Sequence, residues 1–318
     1  RKNSIYLNIY NKISLFNRMR TFNTLANAHL LAADFKACKE FSLQGLEIAT
    51  NMENSFVSQI LLVIMSEAET NQGHLDEALK HASQALKLGE EHSYMHSIIS
   101  ANRVIGDIYQ HLQNYNLALQ HYRVAQLRGG YDKDSLFSLK NDLCLARALA
   151  WMGQLTEARE LATHVHEVSQ QHGMTQIYVD ALLKLGLCDL IEGNLSSAEA
   201  YIQQAEGEVI DNGLVYEQIW CKVGRARIAL SRHQFDFAQE TITEILQISN
   251  QRNMAWLKLR GLQFCSQLHK VTDDSSLLSY RSDYQTLMKL LSEHTQSDSL
   301  RGDFNKAKIT WEAGHAYP

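Results

Sequence analysis

The sequence predicts an all-α protein, a right-handed α-α superhelix of about seven helical hairpins, from a repeated hexapeptide and from its composition. GHLDEA begins at position 73 and GQLTEA at position 153, and related hexapeptides recur at every fortieth position. Proline occurs once in 318 residues, so the chain contains few helix breakers. A fixed internal period predicts stacked units that extend along one axis.

Each hexapeptide predicts the elbow between the two helices of a hairpin. The six copies begin at positions 33, 73, 113, 153, 193 and 233, with a small or polar first residue, an apolar third and a small sixth. A glycine or flexible polar residue before an apolar anchor suits a tight turn between two helices. The small sixth residues are Cys38, Ala78, Ala118, Ala158, Ala198 and Ala238.

Other small residues on the same period predict where the helices of a hairpin touch. Twelve residues before each small sixth position lie Ala26, Ser66, Gly106, Ala146, Gly186 and Ala226. Seven residues after it lie Gly45, Ala85, Ala125, Val165, Ala205 and the larger Ile245. Small side chains let two helices approach toward the lower end of the ~8 to 10 Å interaxial range. Each helix is also apolar on more than one face, so we expect the hairpins to stack on one another.

The repeat predicts one superhelical domain over residues 1–318. We expect repeats near 19–58, 59–98, 99–138, 139–178, 179–218 and 219–254, a divergent unit over 255–295 and a tail over 296–318. Terminal repeats are often atypical, and the elbow expected at residue 273 reads DDSSLL. The chain begins RKNSIYL, without methionine and already in an apolar helical pattern, which we interpret as a segment of a longer protein.

Composition and motifs exclude several classes of function. A net charge of −5, with basic and acidic residues interspersed, predicts no direct binding to nucleic acid or to a membrane surface. Five cysteines without a CxxC pair favour reduced thiols in a cytoplasmic protein. No phosphate-binding, nucleotide-binding, hydrolase or zinc-protease motif occurs, so we expect no catalytic residue and no cofactor. His92 and His96 are four residues apart, a spacing that could hold a metal on one helix face, but no third ligand is evident. We interpret them as solvated histidines of a polar turn between repeats and expect no metal site.

The spacing of small residues resembles the tetratricopeptide repeat. The unit that begins at Ala101 is the clearest, and its signature positions hold Gly106, Tyr109, Tyr115, Ala118, Tyr122 and Ala125. The repeat spans forty positions, which is longer than the family's usual unit, and the family's early tryptophan and late proline are missing. The longer repeat is more similar to the tetratricopeptide-like superhelical sensor domains of bacterial signalling and transcription regulators, such as the maltose regulator.

The resemblance implies a concave groove lined by the first helix of each unit. Carrying the family's ligand-contacting positions onto this sequence gives ten candidate residues, which we expect to contact a ligand or peptide. They are Glu67, Asn71, Arg103, Asp107, His111, Lys140, Arg147, Trp151, Trp220 and Arg227.

The resemblance also implies a non-catalytic binding module, the regulatory or sensor segment of a larger bacterial signalling or transcription-regulating protein. Its partner would be a protein, a peptide or a small-molecule effector, and binding would change the superhelical pitch or cause self-association into a homo-oligomer. Two alternatives remain open. One is a constitutive scaffold for protein-protein interaction; the other is an enzyme with a cryptic site, recognisable by a deep pocket with clustered His, Asp or Glu.

Overall fold

Fifteen α-helices and no strands occur in the part of the chain that the structure describes. The computed structural model describes the backbone of residues 2–130, 132–272 and 279–312, and the side chains of residues 13–130, 132–272 and 279–311. None of the described helices is long and apolar enough to cross a membrane. The helices are α1 (Lys2–Leu31), α2 (Phe35–Asn51), α3 (Ser55–Gln72), α4 (Leu75–Glu91), α5 (Met95–His111), α6 (Tyr115–Gly129), α7 (Leu136–Trp151), α8 (Leu155–Gln171), α9 (Thr175–Glu192), α10 (Leu195–Asn212), α11 (Val215–Ser231), α12 (Phe235–Gln251), α13 (Ala255–Thr272), α14 (Tyr280–Glu293) and α15 (Asp298–Glu312).

The predicted elbows are confirmed, and each is built on one residue with a left-handed backbone. The first residue of all six hexapeptides has φ between +53° and +83°. Glycine adopts this conformation without steric cost and occupies the position at Gly73, Gly153 and Gly193. The same conformation recurs in turns between hairpins, at Glu53, Ser93, Gly173, Gly213 and Asn253.

The predicted contacts within the hairpins are confirmed as well. The small residues of all three sets are buried. The Ser66 hydroxyl donates to the Ala78 carbonyl across 2.6 Å, and a Cβ atom on Gly186 would lie 3.5 Å from the Ala198 carbonyl. At the repeat with the clearest signature, a Cβ on Gly106 would overlap the ring of Tyr122. Small residues therefore set the distance between the two helices.

Enlarging one of these contacts is expected to destabilise the fold. Ala118 is fully buried where α5 meets α6, so Ala118→Leu should lower the free energy of unfolding by about 1 to 3 kcal/mol through overpacking. Chemical denaturation measures this change. Ala200→Leu is the matched control, since Ala200 is exposed on α10 and should shift stability by less than ~0.5 kcal/mol. Equal effects of the two substitutions would contradict the proposed helix pairing.

The odd-numbered helices α1 to α13 form an inner row. Each contacts the next odd-numbered helix as well as its neighbours in sequence. The even-numbered helices α2 to α12, in contrast, make their main contacts with their sequence neighbours. We call these seven odd-numbered helices the inner helices, and the even-numbered helices α2 to α12 the outer helices. Their arrangement places the first helix of each hairpin on the concave side, as the family resemblance implies.

The C-terminal helices pack against the elbows of the first three hairpins. The Asp76 backbone N–H donates to the His294 carbonyl across 3.1 Å, and the Gln296 N–H donates to Asp76 Oδ2 across 2.6 Å. Asn114 Nδ2 donates to Asp303 Oδ2 across 2.9 Å. Arg252 also hydrogen-bonds to the carbonyl of Ala32, at the first elbow. These contacts bring the end of the array back onto its beginning.

Apolar packing also joins the end of the array to its beginning, an arrangement that we call the closure of the array. Leu291, Leu300 and Phe304 belong to one buried cluster with Leu75 and Ala78 of the second hairpin. The closure accounts for the divergent sequence after residue 254, because these apolar residues pack on earlier hairpins instead of on a following repeat. The region after residue 295, which carries no repeat signal, contains α15. The elbow expected at 273 falls outside the described residues.

Candidate functional site

The inner helices surround one cavity of about 880 Å³. All seven contribute residues to its wall, from Asn27 on α1 to Arg260 and Phe264 on α13. The ten candidates from the sequence lie in this one lining, and their contact with a ligand stays a prediction. They are Glu67, Asn71, Arg103, Asp107, His111, Lys140, Arg147, Trp151, Trp220 and Arg227.

Four of these residues form a chain of alternating charges that connects three hairpins. Arg147 Nη2 lies 2.6 Å from Asp107 Oδ1, and Arg103 Nη1 lies 3.1 Å from Asp107 Oδ2. Arg103 also pairs with Glu67. The side chains of Arg103 and Asp107 are 11% and 15% exposed, so water screens their pairing only weakly. These charges therefore neutralise one another within the wall.

The position of Asp107 depends on the small residue before it. Gly106 leaves room for the Tyr122 ring, whose hydroxyl donates to Asp107 Oδ1 across 2.8 Å and lies 2.9 Å from Gln110 Oε1. Burial favours the protonated acid, but Arg147, Arg103 and this hydrogen bond together hold the pKa of Asp107 below its ordinary value. Asp107 is therefore an ionised carboxylate at neutral pH.

Basic and aromatic side chains meet at a second part of the wall. The guanidinium carbons of Arg227 and Arg260 lie 5.1 and 5.6 Å from the centroid of the Trp151 ring. Burial and the charge on Arg260 lower the pKa of Arg227. The ring of His111 stacks on Trp256, with centroids 4.6 Å apart. Burial, followed by the charge of Arg147, lowers the pKa of His111 to about 3, so this imidazole is neutral at physiological pH.

Two acidic residues of the lining, Asp180 and Glu217, lie in the first halves of α9 and α11. Asp180 pairs with Lys184 one turn along α9. Gln176 Nε2 donates to Glu217 Oε1 across 2.8 Å, and burial raises the pKa of Glu217 above its ordinary value. Lys140 also lines the cavity, and its charge acts on Glu217.

Tyr216 and Trp220 form the aromatic wall on α11. Their rings meet edge to face at 6.2 Å. The Tyr216 hydroxyl donates to Asn71 Oδ1 across 3.4 Å, which joins α11 to α3. Two residues predicted separately from the sequence, Asn71 and Trp220, thus both contact Tyr216.

The lining is more basic than the protein as a whole. Among its described residues, the six basic side chains of Arg103, Lys140, Arg147, Lys184, Arg227 and Arg260 outnumber the four acidic ones of Glu67, Asp107, Asp180 and Glu217. The chain itself carries a net charge of −5. The cavity therefore concentrates positive charge that the overall composition conceals.

Sequence reasoning missed Arg260, although the repeat register could have found it. Lys140, Asp180, Trp220 and Arg260 occupy the same position in four successive repeats, and all four line the cavity. The hexapeptide signature decays after residue 250, so the sequence does not show that the family positions continue onto α13. Asn27, which holds the position of Glu67 in the preceding repeat, was missed at the other end of the array.

Cys144, Asp107 and His111 are three groups of the wall with catalytic potential. Burial raises the pKa of the Cys144 thiol to about 11, so it is protonated and a weak nucleophile at neutral pH. Asp107 is bound by two arginines, and His111 is stacked and neutral. His92 and His96 stack on Tyr94 and Phe137 respectively. No cluster of three or more potential metal ligands occurs among the residues that the structure describes.

No protein-family model matches the sequence, and no curated protein matches it in a sequence comparison. Solved structures do match. A Rap protein complexed with competence and sporulation factor aligns with 95% of this chain and 86% of its own, at 14% identity and a TM-score of 0.63. Aspartyl phosphate phosphatase F from Bacillus subtilis aligns with 86% of this chain and 75% of its own, at 12% identity and a TM-score of 0.51.

A tetratricopeptide repeat protein from Parabacteroides merdae aligns with 92% of this chain and 99% of its own, at 13% identity and a TM-score of 0.46. At such identities the likeness to the first two structures concerns the fold. The chain is a tetratricopeptide-like α-α superhelix, as its sequence predicts. The finer resemblance to the sensor domain of the maltose regulator stays a prediction.

Proposed function

We propose that this protein is a non-catalytic receptor that binds an extended peptide in the cavity between its inner helices. The observation that carries the proposal is that all seven inner helices line one space of about 880 Å³. This volume lies in the range of pockets that bind ligands. A small shift of each hairpin around a bound peptide would add up along the array and alter its pitch.

The chemistry of the wall supports a peptide as the ligand. Peptide backbones need hydrogen-bonding partners, and their side chains need apolar surfaces. The lining supplies both, with apolar side chains from Leu183, Leu187 and Leu190 on α9. Its side-chain amides belong to Asn23, Asn27, Gln59, Asn71, Gln110 and Gln176.

Two of these amides have a buried oxygen that accepts no hydrogen bond from any described residue. They are the side-chain amides of Asn23 and Gln59. An unsatisfied buried polar atom costs about 1 to 3 kcal/mol. Neither oxygen is accessible from the cavity in this structure, so a peptide N–H group could satisfy it only after the amide rotated toward the bound chain.

The sequence resemblance to the sensor domains of bacterial regulators supports a regulatory role for peptide binding. A structural neighbour, the Rap protein, holds competence and sporulation factor, which is a precedent for a bound factor on this fold. We therefore propose a cytoplasmic regulatory or sensor segment of a larger bacterial signalling or transcription-regulating protein. A constitutive scaffold would bind the same peptides without a change in shape, so the hydrodynamic radius with and without peptide distinguishes the two.

Affinity selection tests the proposed function. Purified protein is mixed with a synthetic pool of random octapeptides, and retained peptides are identified by mass spectrometry. We expect a few related sequences to be retained. Trp220→Ala should weaken their binding about 10- to 100-fold, because a partly exposed aromatic on the cavity wall is a typical binding anchor.

Phe237→Ala is the matched control for that substitution. Phe237 is 42% exposed on the outer helix α12, and it does not line the cavity. Its loss should leave peptide affinity within about twofold of the original protein. Retention of no peptide, or an equal loss of affinity in both variants, would contradict binding inside the cavity.

A further inference from the structure

We propose that His74 and His294 form a pH-sensitive latch on the closure of the array. The latch joins the elbow of the second hairpin to the residue that follows α14, and it weakens when both imidazoles become protonated. It belongs to the fold and needs no bound peptide, so it goes beyond the proposed function.

The latch lies among the hydrogen bonds that close the array. The imidazole rings of His74 and His294 have their centroids 4.2 Å apart. Beside them, the Asp76 backbone N–H donates to the His294 carbonyl across 3.1 Å. The Asp76 carboxylate in turn accepts the backbone N–H groups of Gln296 and Ser297, across 2.6 and 3.2 Å. A force that separates the two imidazoles therefore acts directly on these hydrogen bonds.

Apolar packing fixes the distance between the same two segments. Gly73, which precedes His74, has a φ of +82°, and a Cβ atom there would lie 2.5 Å from Leu291 Cδ2 and 2.9 Å from Ala255 Cβ. Helices α13 and α14 thus contact the backbone of the elbow itself. Closely packed segments shift little without separating, so repulsion between His74 and His294 would oppose the closure as a whole.

The surroundings of His74 disfavour a second proton in the pair. His74 and His294 are both partly buried. Burial, followed by His294 and then Lys39, lowers the pKa of His74, whereas Glu77 and Glu69 act in the opposite direction. Because burial and a neighbouring imidazole both favour the neutral ring, the closed array holds His74 in its uncharged form at neutral pH.

The nearby acidic groups are engaged elsewhere or exposed. Glu69 is shared by two basic side chains, since Lys39 Nζ lies 3.3 Å from its Oε1 and His81 Nδ1 lies 2.7 Å from its Oε2. Asp76 is occupied by the two backbone N–H groups of the closure. Water screens three further carboxylates close in sequence to the two histidines, which are the exposed Glu77, Glu293 and Asp298.

Protonation should weaken the closure below the ordinary pKa of histidine. Since the closed array lowers the pKa of His74, the open form takes up a proton more readily. The contribution of the latch is therefore fully present above pH ~6.5 and is lost as the pH falls below that value. If the open form accepts two protons where the closed form accepts one, the open population rises about 10-fold by pH ~5.5.

Hydrogen exchange of the intact protein tests the latch. Protection factors of the Asp76 and Gln296 backbone N–H groups, corrected for the intrinsic effect of pH on exchange, measure local opening. We expect them to fall about 10-fold between pH ~7.5 and ~5.5. The Ala158 N–H, which donates to the Gln154 carbonyl in the fourth hairpin, should stay within about twofold. An equal loss at Ala158 would indicate global unfolding and would overturn the latch.

Histidine substitutions identify the groups that titrate. Protection at Asp76 should vary less than about twofold with pH in His74→Gln/His294→Gln, and by about threefold or less in His294→Gln. His172→Gln is the matched control, because His172 is exposed in the turn after α8 and its loss should leave the full effect of pH. A full effect in the double variant would place the titration on other groups. A full effect in His294→Gln would show that burial of His74 acts alone; either result would overturn the pair.

Discussion

Asp107→Ala is expected to lower the free energy of unfolding by about 2 to 4 kcal/mol. Asp107 accepts hydrogen bonds from Arg103, Arg147 and Tyr122, and its removal leaves the Arg147 guanidinium without its ion-pair partner in the cavity wall. Breaking a buried ion pair costs about 3 to 5 kcal/mol. We expect a somewhat smaller loss here because the Arg147 side chain is 26% exposed, so water partly solvates it. Urea denaturation measures the difference.

A double variant separates electrostatic loss from loss of packing. If an uncompensated charge causes the effect, then Arg147→Met in the Asp107→Ala background should recover at least ~1 kcal/mol. Further destabilisation by the second substitution would show that packing dominates. Glu91→Ala is the surface control, because the exposed pair of Lys87 and Glu91 should contribute less than ~0.5 kcal/mol.

The Asp107 carboxylate also makes the stability of the protein depend on pH in the acid range. The pKa of Asp107 is lower in the folded protein than the ordinary value of 3.8, so the folded state disfavours its protonation. Its contribution to stability is therefore fully present above pH ~4 and is lost as the pH falls below that value. Asp107→Asn should lack this part of the acid destabilisation. A variant as acid-sensitive as the original protein would contradict the assignment.

The repeat explains why so much of the cavity wall could be predicted. Once the period is known, residues one repeat apart occupy equivalent places on successive inner helices. Glu67, Asp107, Arg147 and Arg227 share one such register, with Leu187 between the last two, and all five line the cavity. The prediction needed only the family's choice of helix face, because local periodicity determines which side chains point inward.

The pairing of these residues could not be predicted in the same way. The sequence presents Asp107 and Arg147 as separate groove residues, yet they bind each other across neighbouring hairpins. Their mutual neutralisation depends on side-chain reach and on Tyr122, which a periodic pattern does not specify. Closure of the array was also hidden, since Asp76 and Gln296 are 220 residues apart and no local signal relates them.

Trp256→Ala is expected to lower the free energy of unfolding by about 3 to 5 kcal/mol and to open the closed array. Trp256 is 7% exposed, its indole N–H donates to the Thr70 carbonyl across 2.7 Å, and its ring stacks on His111. Truncation of a buried tryptophan creates a cavity of this cost and leaves the carbonyl without its donor. Because this side chain joins α13 to α3 and α5, small-angle scattering should record a larger radius of gyration.

Two further substitutions identify the cause of that change. Trp256→Phe loses the hydrogen bond and the five-membered ring but keeps an aromatic ring in the packing, so it should cost about 1 to 3 kcal/mol, less than Trp256→Ala, and leave the radius unchanged. Trp220→Ala removes a tryptophan from the cavity wall but not from the closure, and should also preserve the radius. An unchanged radius in Trp256→Ala would show that α14 and α15 hold the array closed without this contact.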